Sequence, residues 1–509
     1  MTRRNISLAF VGLLFLVALA LVFSRAMRAE YGHDEDQFIA SARVFADQAL
    51  LPYKDYPYFH MPNLVFIYGL IYQFTSYNVL AARLFSVVCI MAALALLFWQ
   101  ANRFTSHQTP GMRLAVAAAV ILLLLPNPLF AATSGPGWNH DLPVLLVLAA
   151  FSLYFYAARQ ARPAGWIFAT GVLIGLAIGT RLSFATAIVP FLVTLFLWPC
   201  SRTVKTALKL VVIFSAGVLI TLLPSLLLFG LAPGRFIFGN LGYAGLNTLY
   251  RQDVQAYGPM TAFEKLSYLW NEVISQPVNL LLFVLLIFLG CTPALFDLWH
   301  KKGEAFEIIF MLLLVPFITL GSLLPTPSWY HYFYAPVPFA ILVIAYGLAR
   351  VMRLNPLVAK WAVVLVIQVA VLSNLYRWED YRRISFLAHP ETWRPLMFHK
   401  LGSQVKAAAG EGNVLTLAPI FPMEGGKPIY PEFVTGPFAW RTAPYLDAGE
   451  RRELGVISED DLEAYLQADP PGSILVGFDP QLEGAFVAYA EQHAYREVEI
   501  APGVYIWVR

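Results

Sequence analysis

Tyr31-Gly32-His33-Asp34-Glu35-Asp36-Gln37 places three consecutive acids directly behind an apolar run that extends from about Ile6 to Ser24. A run of roughly twenty apolar residues is long enough to cross the hydrocarbon core of a bilayer. The acids therefore sit at the water boundary to which this first span delivers them. Arg3 and Arg4 precede the run, and no small-x-small site separates it from Arg25 and Arg28. It reads as a retained span with a cytoplasmic N-terminus rather than a cleaved leader. Beyond the acids, mixed aromatic and polar residues lead to Lys54-Asp55-Tyr56-Pro57-Tyr58-Phe59-His60-Met61-Pro62.

The rest of the chain repeats the apolar theme. Of 509 residues, 58% are hydrophobic and 13% charged, with mean hydropathy +0.61, too little polar surface to cover a soluble core. Spans are expected near 6–24, 79–100, 113–131, 141–158, 164–180, 184–199, 207–229, 277–297, 305–324, 335–352 and 357–375, about eleven in all. Residues 62–75 are apolar but too short to cross, and read as a re-entrant or interfacial helix. Cys89, Cys200 and Cys291 lie within or at the edges of spans, as small buried hydrophobes rather than a disulfide framework.

Basic residues in short loops set the orientation. Arg103, Arg113, Arg159, Arg162, Arg202, Lys205, Lys301, Lys302, Arg350 and Arg353 fall on one side, which the positive-inside rule makes cytoplasmic. The acidic first loop, loops 132–141, 230–276 and 325–335, and everything after 376 then face outward. From Arg377 the character changes: charges are frequent and no spanning run appears. Strand-like runs at 414–417, 474–478 and 504–508, with helical patterns near 400–409, 458–468 and 482–493, predict a small α/β domain outside the membrane. The boundary is placed between 376 and 377. Residues 419–445, rich in Pro, Gly and aromatics, read as a loop over that domain or the membrane face.

Asp34 to Leu50 carries apolar residues at helical spacing, Phe38, Ala42, Phe45 and Ala49, which predicts a short helix along the membrane surface. Its first turn holds Asp34, Glu35 and Asp36, where the helix dipole favours ionised carboxylates. Such a carboxylate can take a proton from an incoming hydroxyl. Capping of the helix is the competing reading, yet capping needs one acid, and three repel one another.

In order along the chain, the first span, Asp34-Glu35, an interfacial helix, Pro52-Tyr53-Lys54-Asp55, Pro62-Asn63-Leu64 and Ala82-Arg83-Leu84 resemble the GT-C glycosyltransferases. The relatives meant are the protein O-mannosyltransferases, the lipid A aminoarabinose transferase and their bacterial homologues. Trp138-Asn139-His140-Asp141 and His331-Tyr332-Phe333-Tyr334-Ala335-Pro336 extend the resemblance weakly. The resemblance implies transfer of a sugar from a polyprenyl-phosphate carrier to an acceptor hydroxyl, outside the cytoplasm and with inversion. It also implies that the catalytic base is Asp34, with Glu35 as its neighbour; Asp36 lengthens the usual pair and is the alternative base. The acceptor is a lipid, a glycan or a protein, the site is the outer face of a plasma or inner membrane, and no nucleic-acid partner is expected.

Inversion needs a base on one face of the sugar and charge stabilisation of the departing phosphate on the other, a role suited to Arg or Lys. Outward basic candidates for holding the phosphate are Lys54, Arg181, Arg235, Arg251 and Lys265, with His331 a weaker donor; of these Lys54, Arg181, Arg251 and His331 join Asp55, His60, Tyr332 and Asp141 in the expected binding set. Each has a plainer reading. Arg181 and Arg83 can snorkel to head groups, Lys54 and Asp55 can form a surface pair, Asp141 can cap its helix, and Tyr332 belongs to an aromatic belt. His33, His60, His140 and His331, with Asp34, Glu35 or Asp141, could ligate a divalent cation; no His-x-x-x-His spacing is present, and hydrogen-bonded histidines are the stronger reading. Three other classes compete with the transferase. A secondary transporter or lipid flippase would carry ionisable groups near mid-span and repeated halves, which are absent. An oligosaccharide ligase or polymerase needs no acidic run after the first span. A structural or receptor protein would leave that run unexplained.

Overall fold

A computed structural model describes residues 3–198, 203–254, 256, 258–302 and 304–509. Cys200, Arg202 and the last residue of the expected span 184–199 lie outside the described residues. The chain is a polytopic helical membrane protein that ends in a small sheet domain. Among the described residues, seven helices are long and apolar enough to cross a membrane: Asn5–Arg28, Asn78–Phe104, Val204–Leu231, Pro277–Trp299, Ala305–Leu323, Tyr330–Leu354 and Leu357–Tyr376.

The other four expected spans appear as shorter apolar helices, Pro110–Leu124, Asp141–Ala157, Ala164–Thr180 and Leu182–Leu195. Local chemistry shortens them. The expected span 113–131 breaks at Asn127-Pro128, where the Asn127 side chain accepts from the backbone N–H groups of Leu129 and Phe130 and starts a new helix. Helix Ala164–Thr180 stops because Arg181 is extended (φ −151°, ψ 115°). A 17-residue helix is about 25 Å long, slightly short of a bilayer core of about 30 Å.

Small residues let these helices approach closely. Helices Ala164–Thr180 and Val204–Leu231 cross at Gly171 and Gly217. A Cβ on Gly171 would stand 2.1 Å from the Phe214 carbonyl oxygen, and one on Gly217 2.2 Å from that of Phe168. Only glycine fits such a crossing, the usual way apolar helices gain contact in lipid.

The acidic segment forms helix His33–Gln48, and the short apolar segment forms helix Asn63–Ile71. The first is largely covered by the chain itself. Its residues Glu35 through Ala42 are all buried, Ser41 included. The cause is the C-terminal part, which packs over it: Phe38, Ile39 and Leu64 share one apolar cluster with Phe398, Val405, Leu475, Ile506 and Val508. Glu424 reinforces the union, accepting from the Val79 backbone N–H at 2.8 Å and pairing with His399 at 2.6 Å.

The sheet domain has four strands, β1 (Val414–Leu415), β2 (Ser473–Val476), β3 (Arg496–Ala501) and β4 (Val504–Val508), in the order β1-β2-β4-β3. β1 pairs parallel with β2, and the other pairings are antiparallel. The edge strand β3 was hidden in the sequence because Arg496, Glu497 and Glu499 leave it without an apolar run. Such charges suit an exposed edge. Two segments read as loops are largely helical. Residues 230–276 include helices Pro233–Ile237, Tyr243–Asp253 and Ala262–Tyr268, and 419–445 include Ile420–Glu424 and Pro437–Thr442.

Candidate active site

Gly32 is the N-cap of helix His33–Gln48, and no side chain caps it, so the three acids are free for other work. They point three ways. Glu35 is consumed structurally: its carboxylate accepts from Arg83 Nε at 2.9 Å, Arg83 Nη2 at 2.6 Å and the Gly137 backbone N–H at 2.5 Å. Gly137 is needed for that approach, because a Cβ there would meet Ala82 Cβ at 2.6 Å. Arg83 does not snorkel. It is fully buried, and its Nη1 donates to the carbonyls of Ala26 and Ala29 at 2.9 and 2.8 Å. It ties the end of the first span to the start of the second.

Asp36 is also buried, with His33 Nδ1 3.6 Å from its carboxylate. Burial raises its pKa, an effect opposed by His33. Asp34 alone of the three is partly exposed and makes no hydrogen bond or ion pair among the described residues. Its side chain lines a cavity of about 1050 Å³.

Each segment that walls this cavity belongs to a loop or helix end placed on one face from the sequence: 29–37, 59–61, 132–139, 181–183, 239–251, 324–332 and 438–441. The volume is at the upper end of the range of about 300–1,000 Å³ usual for small-molecule sites. Its charge pattern is one-sided. Glu35 is held by Arg83, and Glu30 pairs with Arg394 at 2.6 Å. Asp34 is the one lining carboxylate without a cationic partner among the described residues. Opposing it are Arg181, Arg251 and Arg441, none of which pairs with a carboxylate among the described residues.

Arg181 is aimed by its neighbours. Nη1 donates to Asn139 Oδ1 at 2.9 Å and lies 2.8 Å from His140 Nε2, and the guanidinium sits 4.8 Å from the Tyr332 ring centroid. Arg441 donates from Nη2 to the Tyr243 hydroxyl at 3.0 Å. Arg251 and Arg441 both stand over the Tyr250 ring, at 5.7 and 5.4 Å. Burial lowers the proton affinity of Arg251, and the neighbouring Arg441 charge lowers it further. Each leaves a buried Nε without a partner. Two like charges held together with orphaned donors form a site for an anion.

His60 and His140 are held toward the neutral form. Burial, aided by the Arg181 charge, pushes His60 down to about 4, and His140 is lowered well below its ordinary value for the same two reasons. His331 stacks on Trp138 at 5.3 Å and meets His140 edge-on at 5.3 Å. Among the described residues no group of three or more His, Cys, Asp or Glu converges in a way that could hold a metal ion. Of the four histidines weighed as cation ligands, His60 stacks on Phe38, His140 and His331 pack on Trp138 and each other with His140 against Arg181, and His33 faces Asp36 and Asp479.

Of the expected binding residues, the structure brings His60, Arg181, Arg251, His331 and Tyr332 together with Asp34 around the cavity. It does not bring in Lys54, Asp55 or Asp141. Lys54 is half-exposed and stands 3.5 Å from Asp55, while Asp55 accepts from the Leu51 backbone N–H. Asp141 is buried and accepts from the Gly135 backbone N–H at 3.1 Å. Sequence reasoning missed Arg441 and Tyr243. The only signal for Arg441 was an arginine inside the aromatic stretch Pro437-Phe438-Ala439-Trp440, started by Gly436-Pro437.

Residues 59–227 match the family model for dolichyl-phosphate-mannose-protein mannosyltransferases. No curated protein matches the chain. Among solved structures, ArnT from Cupriavidus metallidurans bound to undecaprenyl phosphate is similar with a TM-score of 0.62 and 16% identity, covering 98% of each chain. Its apo form gives a TM-score of 0.62 at 15% identity, covering 98% of this chain and 97% of that one. The apo oligosaccharyltransferase of Archaeoglobus fulgidus gives 0.51 at 12% identity, covering 94% of this chain and 71% of that one. The GT-C resemblance drawn from the sequence holds at the level of the fold, over nearly the whole length.

Proposed function

We propose that this chain, built on the GT-C glycosyltransferase fold, transfers a sugar from a polyprenyl-phosphate carrier to a hydroxyl on a lipid, glycan or protein. The observation that carries the reading is the charge pattern of the cavity: one unpaired carboxylate, Asp34, among three arginines free of carboxylates. The bound undecaprenyl phosphate of the similar ArnT structure supports a polyprenyl-phosphate donor.

Asp34 takes the proton of the acceptor hydroxyl. The freed oxygen lone pair forms the new bond to the anomeric carbon. The bond from that carbon to the phosphate oxygen breaks, and its electron pair leaves with the polyprenyl phosphate. Arg251 and Arg441, with Arg181, hold the charge that accumulates on this leaving group. A phosphate monoester leaves without prior protonation, so neutral His60 and His140 suffice and no general acid is required. One displacement inverts the anomeric centre. The positive-inside pattern supports a reaction on the outer face of a plasma or inner membrane, with residues 377–509 as an extracytoplasmic domain that closes over it.

Purified protein in lipid nanodiscs, given polyprenyl-phosphate sugars and tested for transfer, decides the matter. Asp34→Asn is expected to keep donor binding and lose transfer by about 10²–10⁴-fold, the range for a general base. Wild-type turnover in that variant removes Asp34 from the role.

A further inference from the structure

A second cavity, of about 490 Å³, adjoins the first and shares Ala29, Ala132 and Pro136 with its wall. Four arginines line it: Arg25 and Arg28 from the end of the first span, and Arg377 and Arg383 from just beyond the last. Asp380 is the one carboxylate among its lining residues. Its Oδ2 accepts from Arg25 Nη2 at 3.1 Å and from Arg377 Nε and Nη2 at 3.1 and 2.8 Å. Four positive charges against one negative leave an excess of three.

Basic residues at a helix C-terminus are ordinarily explained by the helix dipole and by snorkelling. Arg25 fits neither account. It is only 6% exposed, and while Nη2 bonds to Asp380 and to the Leu125 carbonyl at 2.9 Å, its Nε and Nη1 are buried without a partner. Two unmet donors on a buried guanidinium are costly, so this corner of the fold holds more positive charge and more donors than the chain's own acceptors match. With Nη2 occupied, Arg25 has no free bidentate edge, and the charge that suits a phosphate is the pooled excess of the four guanidinium groups. Arg28 and Arg383 stand at the mouth, neither bonded to a carboxylate among the described residues.

We infer that this cavity binds the phosphate group of an anionic lipid. Resting on the transferase reading, it anchors a phosphate-bearing acceptor beside the reaction cavity. The position suits that task, because the two cavities share a wall and both open at the outward helix ends.

The test is thermal unfolding of the full-length protein in neutral detergent with four additives: dioctanoyl phosphatidic acid, inorganic phosphate, dioctanoyl glycerol and undecaprenyl phosphate. Phosphatidic acid is expected to raise Tm and dioctanoyl glycerol to leave it unchanged. In Arg28→Gln/Arg383→Gln, a mouth variant that spares the buried Arg25 pair, the phosphatidic acid shift should fall by at least half, while the undecaprenyl phosphate shift persists. In Arg441→Gln the pattern should reverse. No shift with phosphatidic acid, or an undiminished shift in the mouth variant, overturns the site. An equal shift from inorganic phosphate overturns the lipid assignment. Loss of the undecaprenyl phosphate response in the wild type, with the phosphatidic acid response intact, would instead count against the donor reading alone.

Discussion

Arg83→Met tests whether the acidic turn is positioned by the buried ion pair beneath it. Arg83 makes four hydrogen bonds, two to Glu35 and one each to the carbonyls of Ala26 and Ala29, and is fully buried. Methionine of similar length removes all four and leaves the Glu35 carboxylate buried with only the Gly137 N–H. Breaking one side of a buried pair costs about 3–5 kcal/mol, because the remaining charge is left uncompensated. At about 2 °C per kcal/mol, the low end for larger domains, Tm should fall by roughly 6–10 °C. Transfer should fall too, since Glu35 is adjacent to Asp34. Replacing both partners, Arg83→Met/Glu35→Gln, removes the stranded charge and should restore most of the lost stability. Scanning fluorimetry of all variants, with transfer assays at a temperature where each is folded, measures both effects. A single variant as stable and active as the wild type would refute the reasoning, as would a double variant less stable than the single.

Three further outcomes follow from the same geometry. Arg441→Gln should weaken binding of undecaprenyl phosphate by roughly 10–150-fold, the worth of a charge-assisted hydrogen bond of about 1.5–3 kcal/mol, read by titration of the purified protein. Asp36→Asn should retain transfer and raise Tm at alkaline pH. The folded-state pKa of Asp36 is raised, so the neutral form's stability is present below the unfolded value and lost as pH rises through the folded one. The advantage of Asn should therefore vanish on acidification, and a constant Tm difference across pH would contradict it. His60, held down to about 4, makes the unfolded state bind more protons between its ordinary value and that figure. Stability should fall as pH drops through that window, and His60→Gln should flatten the fall in a Tm-versus-pH series.

Much of this was legible in the sequence. Span positions followed from apolar runs, which depend only on local composition, and the α/β ending from short β-rich runs at 414, 474 and 504. The three acids were legible as a group, but their division of labour was not. Glu35 is taken by Arg83, 48 positions away, and Asp36 lies on a helix that packs against Phe398, Leu475 and Ile506, far off in sequence. Arg181 stood out because it ends an apolar helix. Arg441 did not, since nothing local distinguishes it from a surface arginine; only the packing of Phe438 and Tyr243 brings it to the cavity. Lys54, a candidate only as an outward basic residue, follows its plainer reading and turns toward Asp55.

The short helix Pro437–Thr442, which sets Arg441 against Tyr243, has a practical corollary for engineering. A chimera that joins these helices to the tail of a distant cousin would exchange part of the chamber along with what looks like an appendage. Donor preference should then travel with the graft, and a truncation made after Tyr376 would yield a vessel without its roof.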